Sequence, residues 1–290
     1  MPALTVRAAR PGDVPVIAAI AIATGQDDDW SGRNPAYVNH LMEHARVLVA
    51  ETGEQVAGFG AVERLGAGAA AVTMLCDLFV DPDAHGQGVG RALLTELWGT
   101  AARRMTFSSL HANALPLYAS FGLDPWWPLL YLQGDGRALR AETVAAAGSW
   151  AAGPAAPGEA AELELDWTGV DRAADHQAWA ARPNGGSLIV TRDGAAVAAG
   201  TAGGPATDYG LMHLALSPAA DDDAAVAAVM TALAVLPAPG PVTNICLPGP
   251  HPAMRPLLAR GWRVAYLDQY MASEQGLLDP RRAVPSPGQA

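Results

Sequence analysis

The sequence contains no lysine. All eighteen basic residues are arginine, against 29 acids, for a formal net charge of −11. An acidic chain without basic clusters offers no positive face to a phosphate backbone, which argues against nucleic acid as a partner. Long apolar runs are also missing. Half of the residues are apolar, yet no run reaches the roughly 18 to 20 residues that a membrane helix needs, so no membrane partner is expected. The opening stretch MPALTVRAARPGD carries charges where a signal peptide would hold its apolar core. Cysteine is scarce. Cys76 and Cys246 stand far apart without metal-ligand spacing, which argues against a disulfide framework and a metal site. Together these absences predict a soluble, cytoplasmic protein without a metal.

What is present is a mixed pattern of periods. Residues 3–9 alternate as a strand, and 11–23 open on Pro-Gly-Asp and turn helical. After the polar stretch GQDDDWSGRNP, residues 36–45 read as a second helix. Residues 45–65 read as a hairpin around Thr-Gly-Glu. A strand at 71–80, an amphipathic helix at 90–104, a strand at 105–111, a short helix at 115–123 and a closing strand at 126–135 follow. This order predicts an α/β (α+β) domain over residues 1–135, with a mixed central sheet flanked by helices. Residues 136–162 are rich in Ala, Gly and Pro and read as a linker. From 163 to 290 a hairpin, strand, helix, strand, helix and strand recur in the same order, which predicts a second copy by tandem duplication.

The stretch LCDLFVDPDAHGQGVGRALLTELW, Leu75 to Trp98, is the most specific feature. An apolar strand ends in Asp-Pro-Asp, and Gly86, Gly88 and Gly90 alternate before a helix begins. Backbone amides at a helix N-terminus point outward, and the dipole there favours negative charge. Glycine removes the Cβ that would hold an anion off the backbone. Strand, Gly-rich loop and helix therefore make a cradle suited to a pyrophosphate. The absence of Gly-Lys-Ser/Thr excludes the nucleotide P-loop, and G-x-G-x-G fits a dinucleotide fold poorly.

LFVDPDAHGQGVGRALL resembles the acetyl-CoA motif of the GNAT acetyltransferase superfamily, [Arg/Gln]-x-x-Gly-x-[Gly/Ala] after a Leu-aromatic-Val strand. HANALPLYASFGL is similar to the second motif of that family, in the expected order. His85 stands where the family carries Arg or Gln. The resemblance implies the GNAT fold and acetyl-CoA as co-substrate, held by Leu78, Phe79, Val80, His85, Gly86, Gln87, Gly88, Val89, Gly90 and Arg91. His111 and Asn113 occupy positions that meet cofactor or substrate in the family. Strand 78–80 would pair with the pantetheine arm, and an amide near Phe79 or Val80 would stabilise the oxyanion. Tyr118 matches the tyrosine that protonates the departing sulfur, a task suited to a phenol with a pKa near 10.

The general base stays open. By alternation the inward positions on the fourth strand are Met74 and Cys76, and Asp77 faces the other way unless a bulge re-aims it. Glu63, on the strand before, is the second candidate, and water alone is a third possibility. The segment between the first two helices forms part of the acceptor site in the family. Here it holds Asp27, Asp28, Asp29 and Trp30, which suit a cation by Coulomb attraction and cation–π contact. A solvated acidic turn is the alternative.

In the second half the loop LALSPAADDDAAVAAVM has no glycine, and Asp221, Asp222 and Asp223 stand where the pyrophosphate would sit. Matching RGW (260–262) to FGL (121–123) puts Leu257 in the place of Tyr118. The reading is a degenerate GNAT-like copy that supports the first, closes its acceptor cleft or builds a homodimer interface. The whole predicts a GNAT-family N-acetyltransferase that acts on a primary amine of a small cationic molecule by direct attack. The alternatives are a CoA-binding regulatory or scaffold protein, or an acyltransferase for a different acyl-CoA.

Overall fold

The computed structural model describes residues 3–25, 35–139, 149–205, 207, 209–236 and 242–288. The chain divides into two compact units. The first takes residues 1–106, 116–124 and 272–274, and the second takes 107–115, 125–271 and 275–290. No helix among the described residues is long and apolar enough to cross a membrane.

The first unit runs β1 (Leu4–Ala8), α1 (Val14–Ala23), α2 (Pro35–His44), β2 (Arg46–Thr52), β3 (Gln55–Leu65), β4 (Val72–Val80), α3 (Val89–Trp98), β5 (Arg104–Ser108, as far as Thr106) and α4 (Ala114–Ala119, from Pro116 onward). The strands lie in the order β1-β2-β3-β4-β5. Neighbours are antiparallel until β4 meets β5, which is parallel, so the sheet is mixed. On one face Ile17 and Ile20 of α1 and Tyr37 and Leu41 of α2 bury against Val49 and Phe59. Each such side chain contributes about 1.5–3 kcal/mol by leaving water. On the other face α3 lies close to β3, because β3 presents Gly58 and Gly60 there. A Cβ at Gly58 would come within 2.9 Å of Val89 Cγ1, and one at Gly60 within 2.7 Å of Leu97 Cδ1. Bare backbone at two alternate positions makes the groove in which the helix seats.

The second unit holds β6 (Asp124–Gly134, from Pro125 onward), β7 (Trp150–Ala155), α5 (Pro157–Thr168), α6 (Ala173–Ala180), β8 (Gly186–Arg192), β9 (Ala195–Gly203) and β10 (Gly210–Leu216). It continues with α7 (Asp222–Val235), β11 (Thr243–Pro248), α8 (Met254–Ala259), β12 (Arg263–Ala272) and β13 (Ala283–Val284). Its strand order is β12-β6-β11-β10-β9-β8-β7, with β13 on β10. From β7 to β12 the elements repeat the order from β1 to β6. The irregularities repeat as well. Register shifts fall between Ala50 and Glu51 and between Ala61 and Val62 in the first unit, and between Val190 and Thr191 and between Leu211 and His213 in the second. Bulges persist as designed features of a sheet, so their repetition marks two copies of one α/β pattern.

Two spans differ from the sequence reading. Residues 136–162, read as a linker, contain β7 and the start of α5. The helix signals were present: Pro157 opens α5, and Gly169 closes it in the left-handed region at φ 73°, the usual asymmetry of Pro and Gly at helix ends. Ala-rich composition masked them. The closing strand β6, read as part of the first domain, pairs antiparallel with β11 from Thr243↔Gly134 to Pro248↔Leu129. Alternation tells which face of a strand is buried and is silent on its neighbour.

Candidate active site

Strand β4 leaves its parallel neighbour halfway. Pairing with β5 joins Thr73, Met74 and Leu75 to Arg104, Met105 and Thr106 and stops there. Leu78, Phe79 and Val80 pair with Gly60, Phe59 and Gly58 of β3, and among the described residues no strand pairs with their other side. A strand edge of this kind is a template for an extended ligand. It runs into a 3-10 turn, Pro82–Ala84, in which the Asp81 side chain accepts from the Asp83 amide at 2.9 Å. Gly86 and Gly88 follow with φ of 77° and 83°, values that side chains resist. A Cβ at either would meet nothing within 4 Å. The first bond into α3 runs from the Ala92 amide to Gly88 O at 2.9 Å, so the amides of Val89, Gly90 and Arg91 have no helical acceptor. An open edge leading to outward amides and two bare glycines fits an extended chain that carries an anionic group.

The loop side chains are committed locally. His85 Nε2 lies 3.1 Å from Val80 O and ties the loop back to the strand end. Gln87 donates to Asp83 O at 3.0 Å. Arg91 donates to Ser120 Oγ at 3.0 Å and lies over the Phe121 ring. Gly90 plays a different part from Gly86 and Gly88. Its Cβ would meet Leu117 Cδ2 at 3.3 Å and Val80 Cγ2 at 3.6 Å, so its missing side chain makes room for α4. Tyr118 is buried on α4, with its ring 6.2 Å from that of Trp98. His111 and Asn113 fall in the second unit. There His111 O accepts from Ala114 N at 2.9 Å and His111 Nδ1 accepts from Asn113 N at 3.3 Å.

The carboxylates are arranged by a bulge. Ala61 pairs with Asp77 and Val62 with Leu75, which leaves Cys76 as the extra residue. The extra residue shifts the alternation, and Asp77 comes to the α1–α2 face, where the Tyr37 hydroxyl donates to Asp77 Oδ2 at 2.7 Å. Glu63 shares that face, and His40 Nε2 lies 3.0 Å from Glu63 Oε1. Glu63 and His40 are both buried, whereas Asp77 is half-buried. Sequence reasoning missed Tyr37 and His40. Their signal was a pair of polar residues at i, i+3 on a helix whose remaining inward positions are apolar. Asp27, Asp28, Asp29 and Trp30 lie outside the described residues.

The second unit places other groups at the corresponding point. His213 follows the β10 bulge as Asp77 follows that of β4, and its Nε2 lies 3.0 Å from Glu164 of α5. His176 Nε2 meets the same carboxylate at 2.9 Å, and Arg172 Nε at 3.0 Å. Burial raises the pKa of Glu164, but His213, His176 and Arg172 outweigh it and hold the carboxyl well below the ordinary range. Burial pushes the His213 pKa down, against the pull of Glu164. Glu164, His176 and His213 are near enough to ligate a metal ion. Arg172 already supplies a positive charge there, and the buried Nδ1 of both histidines have no partner among the described residues. A ligating imidazole needs such a partner, so this donor set fits an ion-pair network. Asp221 caps α7 by accepting from Ala224 N at 2.8 Å, and Leu257 is fully buried on α8.

The acetyltransferase (GNAT) domain family matches residues 43–122. A putative acetyltransferase from Pyrococcus horikoshii superposes with a TM-score of 0.70 at 13% identity, over 99% of this chain and 96% of that one. A tandem GNAT protein from the clavulanic acid biosynthesis pathway gives 0.58 at 14% identity, over 96% of this chain and 100% of that one. The GCN5-related glucosamine N-acetyltransferase region of a fungal multi-domain GH3 beta-N-acetylglucosaminidase gives 0.64 at 13% identity, over 94% of this chain and 38% of that one. No curated protein matches the chain. At these identities the structural likeness speaks for the fold.

Proposed function

Residues 43–122 match the acetyltransferase (GNAT) domain family, and from that premise we propose that the protein moves the acetyl group of acetyl-CoA to the primary amine of a small cationic molecule. The observation that carries the reading is the open edge at Leu78–Val80 leading into the free amides of Val89–Arg91. The edge suits the amide-bearing pantetheine arm, and the helix end suits the pyrophosphate. Acetyl-CoA supplies the acyl group as an activated thioester. A backbone amide near Phe79 or Val80 polarises its carbonyl, a contribution of about 3 kcal/mol in other acyl transfers.

Asp77 is the base in this reading. Its carboxylate faces the same side as Tyr37 and is half-exposed, so it is able to take the proton of an incoming ammonium. The nitrogen then bonds to the acyl carbon as the carbon–sulfur bond breaks, the Tyr118 hydroxyl protonates the sulfur, and the second proton of the nitrogen leaves through water and restores the tyrosinate. No acyl-enzyme is needed, and Cys76 takes no part. Glu63, buried with His40, sets the charge behind Asp77 rather than taking the proton itself. The stretch Asp27–Trp30 supports a cationic acceptor by sequence, through carboxylates beside an indole. A cytoplasmic setting, where acetyl-CoA and reduced thiols coexist, suits both.

The test is thiol release from acetyl-CoA over a panel of amino sugars, polyamines, amino acids and peptides. Turnover that prefers cations, and that loses both this preference and its salt dependence when Asp27, Asp28 and Asp29 become Asn, supports the proposal. Binding of acetyl-CoA without turnover of any amine would replace it with a CoA-binding regulator.

A further inference from the structure

The second unit has the same parted strands, but its gap is filled. β10 pairs in parallel with β11 at Gly210↔Asn244 and Leu211↔Ile245 and then separates after the bulge at Met212, as β4 leaves β5 after Leu75. Into the opening comes β13, antiparallel to β10, with Leu214↔Val284 and Ala215↔Ala283. The Leu216 amide donates to Arg282 O at 3.1 Å. Aligning Ser217-Pro218 with Asp81-Pro82 equates Leu214, Ala215 and Leu216 with Leu78, Phe79 and Val80. The inserted strand therefore lies along the three positions whose counterparts are open in the first unit.

The charges at the loop are reversed. In the first unit the helix N-terminus presents Gly86, Gly88 and bare amides. In the second, Asp221 satisfies the N-terminus of α7 itself, and Asp222 in its first turn is salt-bridged to Arg281. Arg281 also reaches Pro250 O, and Arg282 donates to Ser217 O at 3.0 Å and to Pro218 O. An anionic ligand on a loop of amides has become a cationic segment on a loop of acids. The insertion is deep. Val284 is fully buried in the core of the second unit, and Ser286 is buried beside it.

We propose that residues 281–286 are a built-in ligand of the second unit: an extended, arginine-bearing strand that occupies the groove between β10 and β11 and excludes acyl-CoA from it. Likening the groove to a cofactor path rests on the reading of the first unit given above, whereas its occupancy by the chain's own strand does not. Backbone pairing supplies affinity, Val284 the apolar anchor and Arg281 the charge match to Asp222, the usual division of labour when a strand is added to a sheet. The acidic loop repels a pyrophosphate, so the groove selects the chain's own segment.

The test uses the full chain with a specific protease site inserted between Gln275 and Gly276, in an exposed turn. After the folded protein is cleaved, the released segment should co-elute with the remainder, and a labelled peptide of residues 277–288 should exchange into its place. The same peptide with Val284→Asp should bind at least about 100-fold more weakly, because a carboxylate would be buried without a partner. Millimolar acetyl-CoA should not displace the segment. Dissociation on cleavage, equal binding of the Val284→Asp peptide, or displacement by acetyl-CoA would each overturn the proposal. Calorimetry of acetyl-CoA on the same nicked sample reads the first unit separately, so a failure there leaves the groove result standing.

Discussion

The Tyr37 hydroxyl donates to Asp77 at 2.7 Å, and one turn along the same helix His40 meets Glu63 at 3.0 Å. One helix thus holds two carboxylates that stand on neighbouring strands, and the bulge at Cys76 is what brings Asp77 to that face. If Asp77 is the base, Asp77→Asn should lower kcat by about 100- to 10,000-fold with acetyl-CoA affinity unchanged. Tyr37→Phe should act more mildly and differently. Losing a donor to the charged form raises a carboxyl pKa, so the acid limb of the kcat profile should move to higher pH. An unmoved limb would make Tyr37 a packing residue.

The glycines separate by role. Gly88→Val places a β-branched side chain at a φ of 83°, in open space beside the free amides, and should abolish acetyl-CoA binding in calorimetry. Gly90→Leu meets Leu117 instead, and its first effect should be a lower Tm, at a cost of roughly 1–3 kcal/mol for overpacking. Strong binding by a folded Gly88→Val protein would move the anion site elsewhere.

Tyr118→Phe keeps the ring that packs near Trp98 and removes the hydroxyl. Thermal stability and cofactor affinity should hold while turnover falls about 100- to 10,000-fold, the span of a lost general acid. The loss should shrink for thioesters whose thiol has a low pKa, since these leave without a proton. Wild-type turnover would leave protonation of the sulfur to water.

Acid should destabilise the second unit through His251. The ring is buried, its Nδ1 accepts from Ala253 N at 3.1 Å, and its pKa is pushed down to about 4, chiefly by burial and then by Arg281. The ordinary value is about 6.5. Above that pH the ring is neutral in both folded and unfolded chains and changes nothing. Between about pH 6.5 and 4 the unfolded chain takes up a proton that the folded chain refuses, so stability falls as pH falls, by about 3 kcal/mol in all. His251→Asn keeps an acceptor for Ala253 and does not titrate. Urea midpoints at pH 7 and pH 4 should therefore lie closer together in the variant, and parallel pH dependence in both proteins would remove His251 from the account.

The sequence by itself determined what depends on neighbours along the chain. Strand, turn and helix at Leu75–Trp98 follow from apolar alternation, Asp-Pro-Asp and three glycines. The order of the second copy from β8 onward follows from the same periodicities, and the acidic start of α7 from Asp221–Asp223. These are local signals, and local physics reads them. The tertiary structure decided what depends on partners distant in sequence. Asp77 faces α2 only because Cys76 is left over when β4 pairs with β3, and alternation along β4 alone points it the other way. Gly90 leaves room for Leu117 because α4 packs there. Strand β6 joins β11, a choice among edges that its own residues do not encode. The strand at 283–284 is too short to register as a period, and it became a strand only because the parting of β10 from β11 left backbone groups and an apolar slot to fill.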